Sequence, residues 1–252
     1  MKYILALIVF GSIVLFSCKE KKKITPKEIQ ENLVETNDVA KEQVESGVGQ
    51  KDSPASLNVQ LYSKEEIESF KDSTFVILKK LDTTFLYSMK YATKDNFLKE
   101  QVYDCDDCLV RYKTAKQLIK ANNEFKKAGL RILFFDCYRP LYVQKKMWKI
   151  YPDKRYVADP SKGSNHNRGT AIDITLADLK NDTLAMGTPF DYFGKKAHHA
   201  YLNLPDSILN NRKKLKSTME KHGFWSITSE WWHYNLSQSY KYPVSNFKTT
   251  CD

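Results

Sequence analysis

Between residues 74 and 236 the chain alternates short apolar runs with stretches whose apolar residues recur at helical spacing. Residues 74–78 (Thr-Phe-Val-Ile-Leu) predict a strand and 85–91 a second extended piece. From 111 to 128, Tyr112, Ala115, Leu118, Ile119, Phe125 and Ala128 fall on one helical stripe, with Gly129 placed to end it. Residues 130–135 (Leu-Arg-Ile-Leu-Phe-Phe) read as a buried strand, and Pro140 suits the first turn of a helix reaching about Ile150. Residues 171–176 predict another strand, 208–222 a strongly basic helix closed by Gly223, and 231–236 a last strand. Strands and helices are interspersed without a steady βαβ rhythm, so the pattern favours α+β over a doubly wound sheet.

The N-terminal pattern differs. An apolar run from 4 to 16, broken only by Gly11 and Ser12, follows Lys2. It is too short to span a bilayer, which takes about 20 residues, and fits the apolar segment of a secretory signal. Its end, Leu15-Phe16-Ser17-Cys18, followed by Lys19-Glu20-Lys21-Lys22-Lys23, resembles a bacterial lipoprotein signal. That resemblance implies a signal peptide over 1–17, a lipidated Cys18, and a lipid-anchored protein of the bacterial cell envelope, on the periplasmic side or at the outer membrane. The alternatives are an ordinary signal peptide with a chance cysteine, or an uncleaved anchor. Residues 18–60 are poor in aromatics, carry Ser-Gly-Val-Gly at 46–49 and read as a disordered tether; 61–252 read as the folded domain.

Composition adds three constraints. With 42% hydrophobic and 13% aromatic residues the 252-residue chain has enough apolar material for a core, and nine Gly exclude a collagen-like chain. The net charge of +10 lies on the domain, because residues 19–60 hold seven basic against eight acidic side chains. The basic helix is expected to be a solvated face and not a nucleic-acid site. If Cys18 is acylated, four cysteines remain: Cys105, Cys108, Cys137 and Cys251. Outside the cytoplasm a disulfide among them is expected, with three connectivities open.

Two segments carry chemistry. His166 lies in a polar, Gly-flanked loop, and seven residues later Asp173 sits between Ile172 and Ile174. An ionised Asp buried there is costly unless it is paired or binds a metal. Strand alternation puts Asp173 on the face opposite the isoleucines, where it would line a pocket floor. The second segment is Glu230-Trp231-Trp232-His233. Two His and one Asp suit catalytic zinc, which keeps one position open for water, and a nearby carboxylate that is not a ligand can take that water's proton. Taken singly, the bland readings stand: a surface histidine and a hydrogen-bonded structural acid.

Taken together, Ser164-x-His166-x-x-Gly169-x-Ala171-x-Asp173 and Glu230-x-x-His233 resemble the paired zinc motifs of D-alanyl-D-alanine dipeptidases of the VanX type, relatives of D,D-carboxypeptidases and of the Hedgehog N-terminal domain. Tyr91-Ala92-Thr93, Asn96-Phe97, Asp136-Cys137-Tyr138-Arg139-Pro140 and Met186-Gly187-Thr188-Pro189-Phe190-Asp191 extend the match. The resemblance implies a Hedgehog/DD-peptidase-like fold, with a small central antiparallel sheet flanked by helices. It implies one Zn2+ per chain on His166, Asp173 and His233, with Glu230 as general base and acid. Arg139 would stabilise the oxyanion, and Ser164 and Asp191 would hold the substrate's amino group. Otherwise Arg139 is a salt-bridge partner, Ser164 a cap and Asp191 a turn acid. The chain departs from the family in carrying Ala185, where an acid is common, a change expected at the pocket rim. His198-His199 is read as structural, and Phe224, Trp225, Trp231 and Trp232 as core and pocket wall.

The expected function is zinc-dependent hydrolysis of D-Ala-D-Ala or short D-amino-acid peptides in cell-wall peptide turnover. The rivals are a D,D- or L,D-carboxypeptidase acting on peptidoglycan stem peptides, and a binding lipoprotein that keeps the zinc fold without turnover. Glu230 and Arg139 argue against the last, since a purely structural zinc needs neither.

Overall fold

The computed structural model describes residues 59–248; the expected signal, tether, Cys18 and Cys251 lie outside them. A five-stranded sheet has the order β2-β4-β5-β7-β6: β2 (Leu86–Tyr87), β4 (Leu130–Asp136), β5 (Ala171–Asp178), β7 (His233–Leu236) and β6 (Phe224–Ser226). Its pairings are antiparallel except the edge pair β2–β4, which is parallel. A two-stranded antiparallel ribbon joins β1 (Phe75–Ile77) to β3 (Leu109–Arg111). Among the described residues four helices accompany them: α1 (Lys64–Ser69), α2 (Tyr112–Lys126), α3 (Leu141–Ile150) and α4 (Asp206–Lys221).

The α+β expectation holds, with small differences. The last strand begins at His233, so Glu230, Trp231 and Trp232 form its approach, although the Trp232 carbonyl still accepts from the Ile174 N–H at 3.0 Å. β3 and β6, three residues each, are too short to show a period. Helix α1 did have a signal: Ser63 caps it and Glu66 bonds back to the Ser63 N–H, a capping box.

The central strand β5 is buried almost end to end because both faces are covered. Ile172, Ile174 and Leu176 enter the main core with Ile132, Phe134, Leu118 and Tyr234. A second apolar cluster forms around Tyr91, Phe97, Val143, Met147 and Tyr151. Trp231 and Trp232 belong to the main core, whereas Trp225, expected in core or pocket wall, is 44% exposed because β6 is the outermost strand.

The basic helix α4 is not solvated throughout. Arg212 is buried and donates to the carbonyls of Met186 at 2.7 Å, Lys196 at 2.9 Å and His198 at 3.3 Å, pinning the segment that carries Asp191. Ala185 is exposed and does not line the cleft, so the expected change at the pocket rim does not arise.

Candidate metal centre and active-site cleft

Three chain segments meet at one end of β4 and β5. On β4 the register with β5 slips between Phe134 and Asp136, a bulge that leaves Asp136 opposite Asp173. Bulges of this kind re-aim a side chain beside a site. The loop 163–170 is tied to the segment after β4 by Asn167, which is wholly buried. Its Nδ2 donates to the Arg139 carbonyl at 2.7 Å, and its Oδ1 accepts from the Ser164 N–H at 2.8 Å. The Arg139 N–H donates to the His166 carbonyl at 3.1 Å. Gly169 closes the loop at φ +72°, and a Cβ there would meet Phe75 Cε1 at 2.5 Å; only glycine suits both.

His166, Asp173 and His233 each direct one donor atom to a common point, all within 4.8 Å of one another. His166 Nε2 lies 3.3 Å from His233 Nδ1 and 3.5 Å from Asp173 Oδ2, and His233 Nδ1 lies 2.9 Å from Asp173 Oδ1. The opposite ring nitrogens are occupied: His166 Nδ1 donates to the Cys137 carbonyl at 2.8 Å, and His233 Nε2 lies 3.1 Å from Asn235 Oδ1. Each ring therefore turns its remaining nitrogen inward.

The electrostatics favour a cation at that point. Burial alone would raise Asp173, but the two imidazoles outweigh it and hold the carboxyl well below the usual range. Burial alone would lower His233, but the Asp173 hydrogen bond and charge, with Glu230, raise it to about 9. Two inward imidazole nitrogens and one carboxylate oxygen form a donor set that fits zinc with a position left open.

The other expected residues line the same cleft of about 200 Å³: Glu230, Arg139, Ser164 and Asp191. Burial, reinforced by Asp173, pushes the Glu230 carboxyl up against the lowering influence of His233. Asp191 is buried at φ +59° and accepts from the Tyr91 hydroxyl at 2.9 Å. Burial and then Asp173 raise its carboxyl well above the usual range. Ser164 also lines the cleft; its hydroxyl accepts the Asn167 N–H at 3.4 Å, but the capping position of the short helical turn His166–Arg168 is Asn165, so the cap reading of Ser164 does not hold.

Arg139 does form a salt bridge, Nη2 to Asp136 Oδ2 at 2.5 Å, and its Nη1 donates to Gln144 Oε1 at 3.0 Å. Its Nε is buried with no hydrogen-bond partner among the described residues. Sequence reasoning gave no role to Asp136, Gln144 or Tyr91. Asp136 ends its apolar run, a weaker signal than that of Asp173, which stands between two isoleucines.

The arrangement defines a class: a metallopeptidase site with a three-residue metal set, a carboxylate beside it and a buried arginine in the same wall. The sequence profile of the D-Ala-D-Ala dipeptidase family matches residues 71–250. The chain belongs to that family and is a zinc metallopeptidase. It is 37% identical over 163 residues to a D-alanyl-D-alanine dipeptidase of Escherichia coli, covering 65% of this chain and 84% of that protein. It is 32% identical over 194 residues to one of Enterococcus faecium, covering 69% of this chain and 96% of that protein. A third, from Enterococcus faecalis, is 30% identical over 200 residues, covering 70% and 97% respectively.

Proposed function

We propose that this chain cleaves D-Ala-D-Ala into two D-alanines. The observation that carries the reading is the convergence of all seven expected site residues on one small cleft. Its volume lies below the roughly 300–1,000 Å³ typical of pockets for drug-sized ligands, which suits a dipeptide. Bound by His166, Asp173 and His233, zinc would supply Lewis-acid polarisation of water and of the scissile carbonyl. Glu230 takes the proton from the attacking water and returns it to the leaving amine, a task suited to a carboxyl whose burial raises its proton affinity. Arg139, held by Asp136 and Gln144 in the wall of the cleft, donates to the oxygen that gains negative charge. Asp191 and Ser164 receive the free ammonium, whose positive charge relieves the cost of a buried carboxylate. A longer peptide offers no ammonium at that place.

The reading includes location: an envelope protein anchored through lipidated Cys18. It is supported by the N-terminal sequence pattern and by the buried Cys108–Cys137 disulfide, a bond characteristic of oxidising compartments. Cys105 is also disulfide-bonded. An enzyme placed there works on wall turnover or dipeptide salvage. Replacing Cys18→Ala should move the protein out of the membrane fraction; unchanged membrane association would refute the anchor.

The activity test uses purified zinc-loaded protein with D-Ala-D-Ala, L-Ala-L-Ala and a stem peptide ending in D-Ala-D-Ala. The free D-dipeptide should be cleaved, chelator should abolish cleavage, and Glu230→Gln should keep its zinc while kcat falls about 10²–10⁴-fold. Release of D-Ala from the stem peptide alone would make it a carboxypeptidase. Zinc binding without turnover of any substrate would make it a binding protein.

A further inference from the structure

Two asparagines join the metal-binding segments from behind. Asn235 is 1% exposed on β7, two residues after His233 and paired with Ala171 of β5. Its Oδ1 lies 3.1 Å from His233 Nε2 and 2.9 Å from Asn165 Nδ2. Asn165 directly precedes His166 in the loop, and its backbone carbonyl accepts from the Thr170 N–H at 3.2 Å. The Thr170 carbonyl in turn accepts from the Leu236 N–H at 2.8 Å, next to Asn235. An amide oxygen facing a donor NH2 group on one side acts as acceptor on the other, so Asn165 sets which way Asn235 points.

We infer that Asn235, oriented by Asn165, is a positioning residue that keeps the His233 proton on Nε2 and so presents Nδ1 to the metal. The Cys137 carbonyl does the reverse for His166, keeping the proton on Nδ1 and presenting Nε2. The two rings thus face each other through different nitrogens, and the amide bridge spaces the His166 loop from β7. Groups that hold the outer nitrogen of a metal-binding histidine fix both its tautomer and its orientation. The inference rests on the zinc site of the proposed function, but not on its substrate.

The test compares Asn235→Leu, which removes the acceptor at similar volume, with Asn235→Asp, which keeps an oxygen for both donors. Zinc affinity is read by competition with a chromogenic chelator. The His233 tautomer in the zinc-loaded protein is read by long-range ¹H–¹⁵N correlation. Asn235→Leu should weaken zinc about 10–100-fold and mix the tautomers, Asn235→Asp should restore both, and Asn165→Ala should act like Asn235→Leu but more weakly. Unchanged affinity and tautomer in Asn235→Leu would overturn the inference, as would equal losses in the Leu and Asp variants. Wild-type protein that takes up no zinc would instead sink the metal site itself. Wild-type protein that binds zinc but leaves D-Ala-D-Ala intact would sink only the substrate assignment.

Discussion

The ends of β4 and β5 place two aspartates side by side, Asp136 and Asp173, partnered in register and at most 4% exposed; His166 lies 3.5 Å from an oxygen of each, but their other partners differ. Asp136 is used up by the protein: Oδ1 accepts from the Tyr103 hydroxyl at 2.6 Å and the Cys137 N–H at 2.9 Å, and Oδ2 from Arg139 at 2.5 Å. Asp173 has two imidazoles, each with its other nitrogen already engaged. The first acid meets a permanent cation, and the second meets groups that share a cation from outside. A buried carboxylate needs a positive partner; whether that partner is an arginine or a metal decides between a positioning role and a ligand role.

Breaking each side in turn gives the largest contrast. Asp173→Ala removes one of the three proposed ligands, so zinc content by elemental analysis should fall from one per chain to near zero, with activity at background. Asp136→Asn keeps an acceptor oxygen for Tyr103 and Cys137 but takes the countercharge from Arg139. It should retain zinc while kcat drops about 10²–10³-fold, the scale of losing one oxyanion donor, and stability should fall by about 3–5 kcal/mol. Zinc loss in both variants, or in neither, would erase the distinction between the two acids.

How far this contrast was legible depends on what each residue does locally. Asp173 stands between isoleucines in a run too apolar for a solvated acid, so its cost shows in the sequence. Asp136 ends its run, where water is an equally good partner on paper; only the bulge and Arg139, three residues on, turn it inward. The seven residues carried by motif all arrived at the cleft. Long-range partners did not declare themselves: Tyr91 on Asp191, 100 residues apart, and Arg212 under the 186–198 segment come together only through folding. Trp225 was misplaced because edge position is a property of strand order, which periodicity does not report.

The disulfide sharpens the comparison at smaller scale. Cys108–Cys137 closes a separation of 29 residues and fixes the residue between Asp136 and Tyr138. Replacing both cysteines with serine should cost about 3–4 kcal/mol by the loop-entropy account, read from the denaturation midpoint. Zinc content should stay at one per chain, because the His166 partner is the Cys137 backbone carbonyl and the serine variant keeps it. Loss of zinc along with stability would mean that the two ends are held as one unit.

The smallest effect concerns protons on the Asp173 side alone. In metal-free protein, folding raises His233 from 6.5 to about 9. A group raised on folding binds its proton more tightly in the native state, so its contribution is complete below pH 6.5 and is lost as pH climbs to about 9. Asp173 moves the other way: its folded value is lowered from 3.8, so its contribution is present above that pH and lost in stronger acid. Metal-free protein should therefore lose stability between pH 6.5 and 9, as measured by urea unfolding. Zinc competes with the His233 proton, so the extra stability it confers should grow over the same interval. His233→Gln should flatten the metal-free profile there. Asp136→Asn should leave its slope intact, because the countercharge it removes belongs to an arginine that stays protonated throughout. A slope that disappears in Asp136→Asn and survives in His233→Gln would assign the titrating pair to the wrong strand.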